Sequence, residues 1–180
     1  MACTGLFATA GDNNGLGEAI APYFKIIKNC KVAPSNGCFT SAGSHYYDSS
    51  SNVNWDTEIS YKFITADGMS YMIYNIGGNC ATNLSTGATG NMSQVCGQIY
   101  IDVNGPNKSP NRLGRDLYVF YITNGRGPLL YPYGGRDDNS SGNLWWKTPG
   151  TEVARYCTST NTWGAPCPGR IMEEGWQMNY

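Results

Sequence analysis

Seven cysteines stand at positions 3, 30, 38, 80, 96, 157 and 167, and they have the most definite chemistry to offer. A cysteine can bind zinc, attack as a thiolate or oxidise to a disulfide. Zinc sites want a Cys-x-x-Cys pair or nearby histidines, but no Cys-x-x-Cys occurs and the only histidine is His45, far from any cysteine in sequence. A nucleophilic thiolate wants a histidine base, and there is one histidine for seven thiols. What remains is oxidation, and with it an extracellular or periplasmic setting. Sequence alone leaves the pairing open, yet the short separations 30/38, 80/96 and 157/167 make local bridges the natural scheme for Cys30, Cys38, Cys80, Cys96, Cys157 and Cys167. Cys3 is then left over.

Asp102, Asn104, Asn107 and Asp116, with Asn111 between the last two, place several hard oxygen ligands in a Gly-bearing turn, as calcium loops do. No Glu closes the loop at the twelfth position, so it is not an EF-hand. The competing reading is an Asx-rich connection whose side chains satisfy backbone amides. Ser44 and His45 are adjacent in a loop, which gives no triad geometry, and no orienting acid is signalled. Trp145, Trp146 and Trp163 stand among Asn, Asp and Gly, a setting for stacking on sugars or touching a neighbouring subunit, or for covering a core edge. With no convergent acid, base and nucleophile, an enzyme is not indicated.

Composition sets the frame for these residues. The chain has 180 residues, 41% hydrophobic and only 14% charged, with a net charge of −1, which suits one domain with a core and a polar, uncharged surface. That balance leaves no electrostatic footprint for nucleic acid. No run of eighteen apolar residues occurs, and the N-terminus has neither a positive nor an apolar signal region, so the chain reads as a mature or trimmed form of an exported protein.

The elements that must position the residues follow from periodicity. Leu16, Ala19, Ile20, Tyr23, Phe24 and Ile27 form one apolar stripe, predicting an amphipathic helix over 12–29, capped by Asn13 or Asn14 and either kinked at Pro22 or begun near Ile20. Residues 34–54 read as a loop. Glu58 to Phe63 and Met69 to Tyr74 alternate around Asp67-Gly68 and predict a hairpin; Gln98 to Val103 and Leu117 to Ile122 predict two further strands, with a turn at Asn124-Gly125. The expected fold is therefore α+β: a single domain over 1–180 with an N-terminal helix (12–29) packed on an antiparallel sheet of about four strands (57–133). A cysteine-closed C-terminal region (134–180) completes it.

That plan, with the block Asp102-Val-Asn104-Gly105-Pro-Asn107 … Pro110-Asn111 … Gly114-Arg-Asp116, the Ala66-Asp67-Gly68 hairpin and the ending Arg170 to Tyr180, resembles type IV pilins and the pseudopilins of type II secretion. The resemblance runs from about residue 15 to the end. It implies a structural subunit of a pilus or pseudopilus, partnered by copies of itself or related pilins, reaching the membrane only through an apolar N-terminal helix that this sequence lacks. Some pseudopilins bind calcium in a loop of this domain, which favours calcium over Asx bracing at the Asp102 loop. A free-standing extracellular binding module, lectin-like through its tryptophans, stays open beside it.

Overall fold

A computed structural model of the chain describes residues 12–41, 44–45, 52–76, 80–83, 90–124, 129–135, 157–158 and 164–179. Its first helix, α1 (Asn13–Ile20), starts at Asp12, whose carboxylate accepts the Gly15 amide at 2.7 Å, so the cap is the acid and not Asn13 or Asn14. Asn13 instead ties the helix to the sheet: its Nδ2 donates to the Ile59 carbonyl and its Oδ1 accepts the Asn75 amide, both at 2.7 Å.

The expected helix over 12–29 is corrected at its second half. Helical structure ends at Ile20, a 3-10 turn follows over Ala21–Tyr23, Phe24 is extended, and Ile26–Lys31 is strand β1. Pro22 has no amide to continue the α-helical ladder, and the β-branched pair Ile26-Ile27 fits a pleated surface. The stripe accordingly splits. Leu16 is fully buried, Phe24 rests on the rings of Phe63 and Tyr71 at centroid distances of 5.1 and 5.0 Å, while Tyr23 and Ile27 lie exposed. Ile59 is exposed as well, because it precedes the strand.

Among the described residues the sheet has six strands, not four, in the order β1, β4 (Tyr61–Thr65), β5 (Ser70–Asn75), β6 (Val95–Asp102), β7 (Leu117–Thr123) and β8 (Leu129–Pro132), every neighbouring pair antiparallel. A separate two-stranded ribbon joins β2 (Ser44–His45) to β3 (Asn52–Val53). With one short helix at the start and α2 (Cys167–Glu173) near the end, the described chain is mostly antiparallel sheet. Strand β1 was hidden inside the helical stripe, and it caps the sheet as an edge strand broken by register shifts between Ile26 and Lys28 and between Asn29 and Lys31.

Both faces of the sheet are covered. One carries Tyr61, Phe63, Ile73, Ile99 and Ile122 under Leu16 of α1 and the Cys80–Cys96 disulfide. The other carries Met72, Tyr100, Leu117 and Val119 under Phe39, Trp55, Leu113, Ala165 and the Cys30–Cys38 disulfide. Double coverage explains why β6 is buried at nearly every position and does not alternate with water. A third disulfide, Cys157–Cys167, holds the segment before α2, and within α2 the Gly169 amide donates to the Tyr133 carbonyl at 2.9 Å. Among the described residues no helix is long and apolar enough to cross a membrane. Three disulfides make the folded chain a protein of an oxidising environment.

Candidate functional site

Strands β6 and β7 are joined by residues 103–116, and an aspartate guards each end. Asp102, the last residue of β6, and Asp116, just before β7, are both buried. Asp102 Oδ1 accepts the amides of Asn104 at 3.2 Å and Gly105 at 2.9 Å. Asp116 Oδ2 accepts Asn104 Nδ2 at 3.0 Å and the Asn111 amide at 2.8 Å, while its Oδ1 accepts the Arg112 amide at 2.6 Å. Asn104 is thus the bridge between the two acids. Gly105 takes a left-handed φ of +81°, and a Cβ there would stand 2.5 Å from the Gly68 carbonyl oxygen, so the loop lies directly against the β4–β5 turn.

Burial pushes the Asp102 carboxyl up to about 6; the Asn104 and Gly105 amides pull it down and the Asp116 charge raises it further. Burial, and then the Asp116 charge, raise the Tyr118 hydroxyl in the same way. The site is a small buried concentration of negative charge.

Neither a known protein family, a curated protein nor a solved structure matches the chain.

Function therefore has to be argued from the loop itself. Of the four residues with calcium-loop spacing, the fold brings Asp102, Asn104 and Asp116 together and leaves Asn107 exposed on the outside. Asn111 takes its place at the inner side, its amide on Asp116. The five hydrogen bonds onto the two carboxylates are the Asx-type bracing that competes with metal binding in the sequence. They do not use all the oxygens: Asn104 Oδ1 and Asn111 Oδ1 are buried without a hydrogen-bond partner. Among the described residues no three His, Cys, Asp or Glu side chains cluster as metal ligands, so any ion here relies on amide oxygens as well as carboxylates. That donor set fits a hard, oxygen-liganded cation such as calcium and does not fit zinc.

The pH dependence of the loop follows from Asp102. Its folded-state value near 6 stands above the ordinary 3.8, so the folded protein holds this proton where the unfolded chain has lost it. Its contribution to stability is complete below about pH 4 and is lost as pH rises to about 6, a difference of roughly 3 kcal/mol at ~1.4 kcal/mol per pH unit. Denaturation in chelator should therefore give the parent a component that weakens across this window, and Asp102→Asn, which keeps the acceptor but not the charge, should remove it. Parallel curves for parent and variant would refute the assignment.

The other candidates stand apart. Ser44 and His45 form the β2 strand of the small ribbon, and their side chains, like Cys3, Trp145, Trp146 and Trp163, lie outside the described residues. Sequence reasoning missed a second buried polar centre. Asp56 accepts the amides of Gly37, Cys38 and Phe39 at 2.8, 3.1 and 3.3 Å, and Lys62, fully buried, donates to the carbonyls of Asp56 and Glu58 at 2.5 and 2.9 Å. Burial lowers the Lys62 amine, and the Asp56 and Glu58 charges partly restore it. The alternation of Glu58 to Phe63 sets Lys62 on the face opposite Tyr61 and Phe63, and it is silent on what covers that face. Nothing in the sequence announces that Cys38, Phe39 and Trp55 cover that face.

Proposed function

We propose that this chain is the globular portion of an extracellular or periplasmic filament subunit of the type IV pilus or pseudopilus kind, and that its 103–116 loop takes a calcium ion. One observation carries the reading: the Asp102–Asp116 block, on which the resemblance rests, is a braced loop between two buried aspartates, with two buried and unpartnered amide oxygens beside them. A structural subunit needs rigid connections at its contact surfaces and no reactive centre. Covalent bracing supports this, since a disulfide closing a loop of about 15 residues contributes on the order of 3 kcal/mol against total stabilities of roughly 5 to 15. Asp102, Asn104, Asn111 and Asp116 would hold the ion, which would neutralise the two buried acids.

The subunit role is tested by shearing the surface of producing cells and sedimenting the released material. The chain is expected in the high-mass fraction; recovery only as a monomer in the medium defeats the filament reading. The calcium role has its own test. At millimolar calcium, with dissociation constants of about 10⁻⁴ to 10⁻³ M for extracellular modules, mass action should raise the melting temperature by about 1 to 5 °C. Asp102→Asn should lose that gain. A melting curve unmoved by calcium leaves the loop as Asx bracing alone.

A further inference from the structure

Three Asn-Gly dipeptides have their glycine among the described residues: 14–15, 36–37 and 104–105. Asn-Gly is prone to deamidation, because the unhindered glycine nitrogen can attack the preceding side chain. A bond forms between the glycine N and the asparagine Cγ, the bond from Cγ to Nδ2 breaks, and the glycine N–H proton leaves with the released ammonia. Water then opens the succinimide to aspartate or isoaspartate. The reaction requires the N–H to give up its proton.

In all three pairs that N–H is donated to an aspartate. Gly15 donates to Asp12 Oδ1 at 2.7 Å, Gly37 to Asp56 Oδ2 at 2.8 Å, and Gly105 to Asp102 Oδ1 at 2.9 Å. The three acceptors arise in unrelated ways: a helix N-cap, a side chain 19 residues along the chain, and an Asx turn. A carboxylate acceptor strengthens the hydrogen bond and sets a negative charge against formation of an amidate. At Asn104 the leaving group is held too, with Nδ2 donating to Asp116 Oδ2 at 3.0 Å and to the Ser109 carbonyl at 3.3 Å.

We propose that Asp12, Asp56 and Asp102 lock Asn14, Asn36 and Asn104 against deamidation in the folded protein. The lock is independent of the filament reading and would serve any chain that must last outside the cell without replacement. It is tested by holding the whole protein for several days at mildly alkaline pH in chelator, then quantifying aspartate and isoaspartate at each site by peptide mapping. Synthetic peptides of the same sequences run alongside. Each site in the folded protein should react at least about tenfold more slowly than its peptide, the factor equivalent to ~1.4 kcal/mol. Asp102→Ala should release Asn104 alone and Asp56→Ala should release Asn36 alone, at temperatures where circular dichroism shows each variant folded. Asp12 is exposed at the start of α1, so Asp12→Ala keeps the test open if the buried variants do not fold, and it should release Asn14 alone. Folded rates equal to peptide rates, an Asn14 unchanged in Asp12→Ala, or equal acceleration at all three sites in that variant would overturn the proposal.

Discussion

Asp56→Ala should cost the folded chain about 3 to 5 kcal/mol, the range found when one partner of a buried charged network is removed. The carboxylate gathers the amides of Gly37, Cys38 and Phe39, the last two in buried residues, and lies close enough to the buried Lys62 ammonium to raise its proton affinity. Alanine strands all of these at once: the amides lose their acceptor, and the ammonium keeps its carbonyl partners but loses the anion that most raises its proton affinity. With a melting shift of roughly 2 to 4 °C per kcal/mol for a chain of this size, the transition should fall by about 10 °C. Asp56→Asn retains one acceptor oxygen but points an amide group at donors, so it should fall between parent and alanine. A transition for Asp56→Ala within a degree or two of the parent would show that the network is not what holds Gly37, Cys38 and Phe39 onto the sheet.

A second large effect is expected at Gly17, with a sign opposite to helix propensity. Alanine is favoured over glycine by about 1 kcal/mol in a helix interior, so Gly17→Ala in an unpacked helix would stabilise. Here an added Cβ would stand 1.8 Å from Tyr61 Cγ. The ring cannot give way cheaply, since Tyr61 is 1% exposed and its hydroxyl accepts Asn29 Nδ2 at 2.7 Å. Overpacking of this kind costs typically 1 to 3 kcal/mol and occasionally more, so Gly17→Ala should lower the urea midpoint with little change in slope. A raised midpoint would mean that α1 does not rest on Tyr61, and would remove the helix from the core.

Where local patterns decided the structure, the sequence was a good guide; where long-range packing decided it, the sequence misled. The Asp67-Gly68 turn is local: Thr65 and Met69 close it through the Met69 carbonyl, and Gly68 adopts the left-handed φ such a turn requires. The short cysteine separations are local in the same sense. The helix failed at Ile26 and Ile27, because apolar residues at 20, 23, 24 and 27 satisfy a helical period while 26 and 27 also suit a strand, and only pairing with β4 decides between them. Lys62 failed for a related reason: alternation tells which face a residue points to, and not whether a loop lies on that face. At the loop, Asp102 and Asn104 are close through spacing, and the antiparallel pairing of β6 with β7, legible as two neighbouring strand patterns, brings Asp116 beside them. Asn107 and Asn111 exchanged roles because the backbone path from Gly105 to Arg112 is set by amides that any residue carries.

The two register shifts in β1 also bear on how copies of the chain can meet. This strand ends the sheet on one side, and a regular edge offers its free amides and carbonyls to any passing strand. Here the ladder is broken twice within six residues, and exposed Lys25, Lys28 and Lys31 line the same segment. Bent backbone and repeated positive charge together disfavour the addition of an identical strand, which would bring lysine against lysine. Among the described residues nothing covers this edge, and it is still closed to growth, so crowded copies can touch along it without fusing into a shared sheet.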